Sequence, residues 1–250
     1  MCGGMSLSTH WVSEARPRGG PCFVAFPGVG DIGLLALSMI ESSLPSSIVA
    51  EIFDPALPPL ATLDERGVLR PPHHRLVRVD ATSGPLHLLI GAGQANTPID
   101  QHRTAMELVD VLHGFDEVVG LAGFKSGAMD RRAFFVATSA EGLSTMEAAG
   151  RQVSTTEPSA GCIGVLALLA SLGPHKGLAT SLAIATTMGA SQDRFAAHRL
   201  LGLLDDAFSL GLPEQHDIEA DLRGRLSDRA PDHVENHVAE LVEGPDAFYA

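Results

Sequence analysis

Short, wholly apolar segments that alternate with segments of helical periodicity constrain the fold of this chain more than any other feature of its sequence. Residues 22–26 and 86–92 lack the apolar and polar alternation that marks a half-exposed strand, so both faces of these predicted strands are expected to be buried. Residues 32–44 and 99–113 repeat their apolar positions with the period of a helix. Strands buried on both faces and separated by helices indicate an α/β fold, with a mostly parallel sheet that helices cover on both sides.

The remaining segments extend the same pattern. Further strands are predicted at 47–53, 74–79, 117–124, 132–138 and 182–187, and further helices at 161–171 and 191–210. Residues 132–138 follow the preceding strand without an obvious crossover helix. This strand is therefore expected to be an exception to parallel pairing.

Changes in composition divide the chain into four parts. Residues 1–20 are rich in Gly, Ser, Pro and Arg and are predicted to form an irregular leader, while residues 21–212 form the predicted α/β domain. After Pro213 the sequence becomes polar and acidic, and short patterns of helical period predict a helical appendage at 213–243. Gly244 and Pro245 interrupt that pattern, which leaves 244–250 as a C-terminal tail.

The charge of the chain excludes one class of partner. A net charge of −13 argues against nucleic acid, whose binding requires a basic face. Residues 205–250 carry 12 acidic and 3 basic residues. Two interpretations of this acidic segment remain open: it complements a basic partner and speeds encounter, or its charges form the solvated face of surface helices.

Cysteine usage and hydropathy indicate a cytoplasmic protein. Cys2, Cys22 and Cys162 are too few and too scattered for a disulfide framework, which indicates a reducing compartment. Cys22 and Cys162 lie in apolar runs and are predicted to be small buried hydrophobes. No signal peptide is expected in the first twenty residues, and the longest apolar run, 163–172, is too short to span a bilayer. No membrane association is therefore expected.

A glycine motif follows the first predicted strand. Gly28, Gly30 and Gly33 have the G-x-G-x-x-G spacing of a dinucleotide-binding turn, and Glu51 or Asp54 lies where a ribose-binding acid is expected. This motif supports an alternative function as a nucleotide- or nucleoside-binding enzyme. The other interpretation is a tight strand-to-helix turn whose glycines allow close packing or positive φ.

No catalytic residue, metal site or cofactor is predicted. No serine lies in a G-x-S-x-G turn, and no cysteine has an evidently electropositive setting. His233 and His237 lie four residues apart on a predicted helix but have no further ligands in place. Lys125, one of two lysines in the chain, lies at a predicted strand end, where functional groups collect.

The last three residues, Phe248-Tyr249-Ala250, are the predicted partner-binding site. Tyr249 is the only tyrosine of the chain, and it follows a bulky apolar residue. Beyond the interruption at Gly244 and Pro245, the tail is expected to hold an aromatic ring and a carboxylate away from the body. Capture of a C-terminal carboxylate together with an anchoring side chain is a known mode of recognition.

Taken together, these segments resemble the proteasome assembly chaperone family, in particular its archaeal members. The likeness covers about residues 22–190. It rests on the order and spacing of the segments FPGVGDIG (26–33), IVAEI (48–52), LLIGAGQ (88–94), GLAGF (120–124) and GCIGVL (161–166).

The resemblance implies a three-layer α/β/α domain of the nucleoside-phosphorylase-like kind, without a catalytic site. It also implies homo-oligomers that hold α-subunits of the 20S proteasome during ring assembly. The leading hypothesis is therefore an assembly chaperone, a gate activator or both, which binds the α-ring without ATP. Members of this class and proteasome activators can end in a hydrophobic-Tyr-any tail, which Phe248, Tyr249 and Ala250 match. By this resemblance the tail enters pockets between adjacent α-subunits, and a weak three-residue anchor is useful mainly when an oligomer presents several copies.

Overall fold

A computed structural model describes residues 6–12, 16–64, 66–127, 129–189 and 191–212. The strands are β1 (Ser8–Trp11), β2 (Pro21–Ala25), β3 (Ser46–Phe53), β4 (Thr62–Leu63), β5 (Leu69–Arg70), β6 (His74–Ala81), β7 (Gly84–Ile90), β8 (Glu117–Lys125), β9 (Ala133–Ala137) and β10 (Thr180–Thr187). The helices are α1 (Ile32–Ser43), α2 (Pro98–Leu112), α3 (Ala140–Ala148), α4 (Val165–Leu172) and α5 (Arg194–Phe208). Within these ranges, no helix has both the length and the apolar character needed to cross a membrane.

Eight strands form one mixed sheet in the order β1-β3-β6-β7-β2-β8-β10-β9. The four strands β7, β2, β8 and β10 pair in parallel and form its centre. The flanking strands pair antiparallel, and five of the eight strands point in the same direction. The predicted fold class is therefore confirmed, and so is the predicted antiparallel exception, which is β9 beside β10.

Helices cover both faces of the sheet and produce three layers. Successive residues of β2 point to opposite faces: Phe23 and Ala25 pack with α1 and α5, whereas Cys22 and Val24 pack with α2 and α4. All four of these strand residues are fully buried. This is the physical basis of the wholly apolar strands, because each face of the central sheet meets a helical layer.

Four elements, β1, α3, β4 and β5, lie where the sequence pattern did not predict them. Ser8–Trp11, inside the segment expected to be an irregular leader, forms the edge strand β1 beside β3. Helix α3 buries only Met146, so it lacks the apolar stripe that would identify it. Strands β4 and β5 have two residues each and form a separate hairpin. Edge strands and short elements bury little apolar surface, so their periodicity is weak.

Two further expectations were wrong near the start of α4. The predicted helix 161–171 begins only at Val165, because Gly161 and Gly164 have φ of +78° and +95°. Cys162, expected to be buried, lies exposed in the preceding loop, and Ile163 beside it is 95% exposed. Cys22 is buried as predicted.

Candidate functional site

A cleft lies at the carboxyl ends of the parallel strands β2, β8 and β10. Its volume is about 370 Å³, and its apolar walls include Phe26, Phe124, Leu166 and Ile184. Ligands of open α/β sheets bind in the crevice outside the carboxyl ends of the strands. The cleft is therefore the candidate functional site.

The glycine loop 28–33 forms one wall of this cleft and packs tightly against β8. A Cβ at Gly33 would lie 2.3 Å from the carbonyl oxygen of Leu121, and a Cβ at Gly123 would lie 2.3 Å from that of Val29. Gly30 has a φ of +66°, and its carbonyl accepts a hydrogen bond of 2.9 Å from the amide of Asp193. The glycines thus serve close packing and a left-handed turn.

The nucleotide-binding alternative loses its acidic partner in the structure. Glu51 lies on β3, which β6 and β7 separate from β2, so it is about 14 Å away across the sheet. Its carboxylate instead pairs with Arg70. Asp54, the other candidate acid, is buried and accepts a hydrogen bond of 2.7 Å from the hydroxyl of Thr104. Neither acid lines the cleft, so neither can hold the ribose of a nucleotide bound there.

Gln94 connects the two loops that border the cleft, a role that the sequence pattern did not reveal. Its side-chain amide donates to the carbonyl of Pro27 over 2.7 Å, and its side-chain oxygen accepts from the amide of Val165 over 3.0 Å. It therefore holds the glycine loop to the first turn of α4. Its position in the GAGQ segment after β7 was part of the family resemblance, but only tertiary structure shows what it touches.

Lys125 lies exposed at the end of β8 and lines the cleft, as its predicted position at a strand end suggested. The charged groups next to it are paired with one another. Arg132 donates to Asp130 through two nitrogens at 2.7 and 2.8 Å, and Ser126 donates to the same carboxylate. These hydrogen bonds, that of Arg132 foremost, hold the pKa of Asp130 well below its usual range.

Cys162 also lines the cleft but is not an activated nucleophile. Although the residue is exposed, desolvation by the surrounding cleft raises the pKa of its thiol above the ordinary value, which disfavours the thiolate. Among the described residues, no group of three or more His, Cys, Asp or Glu side chains lies close enough to bind a metal ion.

A second cavity, of about 510 Å³, lies at the amino ends of β8 and β10. Its principal charged side chains satisfy each other, because Arg151 donates to both carboxylate oxygens of Glu117 at 2.6 and 3.0 Å. The guanidinium of Arg151 also lies 4.6 Å from the ring centre of Phe208. The Arg151–Glu117 pair therefore stabilises the fold and leaves neither charge free for a ligand in this cavity.

The predicted partner-binding residues Phe248, Tyr249 and Ala250 lie outside the described residues, as do His233, His237 and the predicted appendage at 213–243. The roles predicted for these residues from the sequence therefore remain predictions.

The fold and the site define a three-layer α/β/α protein with an apolar cleft at the carboxyl edge of its sheet. The model of the PAC2 family matches residues 22–224. The chain therefore belongs to the PAC2 family, and the resemblance to proteasome assembly chaperones is confirmed. No curated protein sequence matches the chain.

Solved structures of low sequence identity share the fold. Pyrococcus furiosus PbaB, an archaeal proteasome activator, has a TM-score of 0.71 at 17% identity, covering 94% of this chain and 99% of PbaB. PbaA of the same organism, an archaeal homolog of proteasome-assembly chaperone, has a TM-score of 0.66 at 19% identity, covering 89% and 94%. A proteasome-assembly chaperone homologue of Mycobacterium tuberculosis has a TM-score of 0.63 at 20% identity, covering 86% and 97%.

Proposed function

We propose that this protein is a cytoplasmic, non-catalytic proteasome assembly chaperone or activator, and that it binds the α-ring of the 20S proteasome without ATP. Membership of the PAC2 family over residues 22–224 is the observation that carries the proposal. The similarity in fold to an archaeal proteasome activator and to an assembly-chaperone homolog supports it.

Phe248, Tyr249 and the carboxylate of Ala250 are the proposed contact with the α-subunits. The apolar ring supplies buried area, and its hydroxyl and the carboxylate supply directional partners. The rival function, an enzyme that binds a nucleotide through Gly28, Gly30, Gly33 and Glu51, is not supported, because Glu51 lies three strands from the loop.

Several copies of the tail on one assembly would make this weak anchor effective, so we propose that the protein is a homo-oligomer. The β4–β5 hairpin supports this proposal. Its apolar side chains Leu63, Val68 and Leu69 are between 52% and 69% exposed. A two-stranded hairpin is marginally stable by itself, and exposed apolar patches mark interaction sites.

Binding to the purified 20S proteasome, with and without ATP, tests the proposed contact. Deletion of residues 248–250 and the single change Tyr249→Ala should each weaken binding at least tenfold in surface plasmon resonance, with no change in melting temperature. Ala247→Ser, which leaves the three residues intact, is the matched control. Equal binding by the intact and the shortened chain would refute the proposed contact. Hydrolysis of a fluorogenic peptide then separates an activator from an assembly factor.

Light scattering after size-exclusion chromatography tests the oligomer. The intact protein should have at least twice the 26.2 kDa mass of one chain at micromolar concentration. Leu63→Glu with Leu69→Glu should lower that mass if the hairpin forms the contact, whereas Ile99→Glu, the same change at an exposed position of α2, should not. A monomeric intact protein would contradict the proposal.

A further inference from the structure

The cleft at the carboxyl edge has a cation at its rim, Lys125, that pairs with no carboxylate of the described residues. Among the described residues, no carboxylate lies within ion-pair distance of Lys125, whereas the only other lysine, Lys176, lies 3.7 Å from Asp110. The side chain of Lys125 extends along Gly189, where a Cβ would lie 3.5 Å from both Cδ and Cε of the lysine. Lys125 therefore lines the cleft as an exposed cation without a partner in the described part of the chain.

The walls of the cleft offer almost no other polar side-chain group. Phe26, Val29, Phe124 and Ile184 present apolar surface, and both polar atoms of Gln94 are occupied by backbone groups. No Asp or Glu is among the described residues that line the cleft. A bound molecule would thus meet an apolar enclosure with one positive charge at its rim.

These properties select the chemistry of a ligand. A nucleoside needs acceptors for its ribose hydroxyls, and the described lining of the cleft has no carboxylate to supply them. A volume of about 370 Å³ lies near the lower end of the range of small-molecule pockets, which favours a small ligand such as one ring with a short acidic chain. An apolar body and a single negative charge match the walls and Lys125, respectively.

Two exposed apolar residues at the mouth of the cleft also favour a ligand with an apolar body. Ile163 is 95% exposed and Val29 is 44% exposed, and both line the cleft. A ligand seated between them would remove this apolar surface from water, which favours binding in proportion to the area covered.

We propose that the carboxyl-edge cleft is a binding site for a small aromatic carboxylate. The ring lies between Phe26, Phe124 and Ile184, and the carboxylate pairs with Lys125. The argument for this site does not rest on the proposed contact with the proteasome.

Binding of 4-phenylbutyrate, measured by ligand-observed NMR and by titration of the intact protein, tests the site. A ligand of about twelve non-hydrogen atoms should bind with a Kd on the order of 1 mM. Its neutral analogue 4-phenylbutyramide should bind at least fivefold more weakly, because it lacks the charge that pairs with Lys125.

Two lysine variants locate the contact. Lys125→Gln should weaken 4-phenylbutyrate at least fivefold and leave 4-phenylbutyramide unchanged, whereas Lys176→Gln, the same change elsewhere, should leave both unchanged. Absence of binding by the intact protein at 10 mM ligand, a concentration about ten times the expected Kd, would overturn the proposal. Equal binding of the acid by the intact protein and Lys125→Gln would also overturn it. Because neither measurement involves the proteasome, failure here is distinguishable from failure of the proposed function.

Discussion

The two ends of strands β8 and β10 are held by different kinds of contact. At the amino ends, the ion pair of Arg151 and Glu117 lines the cavity. At the carboxyl ends, backbone approaches backbone, where Gly33 lies against Leu121 and Gly123 lies against Val29. Side chains there also bond to backbone carbonyls: Gln94 donates to Pro27, and Arg199 donates to Thr186. Because none of these contacts uses Lys125 or Ile163, which are both exposed, these two side chains remain available there for a ligand or a partner. Substitutions at the two ends should therefore differ in what they damage.

Gly33→Ala should have the largest effect, because its new methyl group would lie 2.3 Å from the carbonyl oxygen of Leu121. Helix α1 would have to move away from β8, and we expect a loss of about 3 kcal/mol in the free energy of unfolding. Urea denaturation measures it. Gly127→Ala, where a Cβ meets nothing within 4 Å, should change stability by less than about 0.5 kcal/mol. Similar losses for both variants would show that backbone contact does not hold this edge.

Arg151→Met should have the next largest effect, at the amino end. The change keeps apolar contact with Phe208 but leaves the carboxylate of Glu117, only 22% exposed, without its ion-pair partner. We expect a loss of about 2 kcal/mol, and recovery of part of it when Glu117→Gln is added. If Glu117→Gln adds a further loss instead, the carboxylate is not the source of the damage. Thermal and urea unfolding of the two single variants and the double variant form the test.

Gln94→Ala should weaken the carboxyl edge by a smaller amount. It removes the hydrogen bonds to Pro27 and Val165, one of which caps the first turn of α4, and should cost about 1–2 kcal/mol. Hydrogen exchange of the Val165 amide should accelerate in parallel. Unchanged exchange at that amide would contradict the role of Gln94 as the link between the two loops.

Lys125→Gln and Ile163→Ser should have the smallest effects on stability. Both side chains are exposed, and neither has a hydrogen bond or ion pair with a described residue, so each change should stay within about 0.5 kcal/mol. Urea denaturation of each variant checks the expectation. A loss above about 1 kcal/mol in either would show that the carboxyl edge uses these side chains for folding rather than leaving them free.

The central part of the fold could be predicted because its signals are local. β2 and the central residues of β10 are apolar on both faces, and helices such as α2 carry an apolar stripe, so each element was recognisable from a short window. The edge strand β1, the helix α3 and the β4–β5 hairpin bury little surface, and local patterns did not identify them. The exposure of Cys162 could not be predicted from its apolar neighbours, because Gly161 and Gly164 turn that segment out of the helix.

Individual residues of the candidate site could be predicted from the sequence, but their arrangement in space could not. The sequence marked the glycine loop and Lys125 separately, and it associated the loop with Glu51, which proved to lie three strands away. Order along the chain does not determine which strands become neighbours, because β6 and β7 lie between β2 and β3 although those two follow each other in sequence. The partnership of Gln94 with Pro27 and Val165 joins residues 67 and 71 positions apart, beyond the reach of any local pattern.

The sequence by itself determined the class of fold, the positions of most elements and the family, because periodicity, composition and motif order are properties of the chain. It is also the source of the prediction that Phe248, Tyr249 and Ala250 contact a partner. The tertiary structure decided the order of the strands, the packing role of the glycines and the position of Lys125 beside an apolar cleft. These depend on contacts between distant segments, whose geometry is set by the packing of the helical layers onto the sheet.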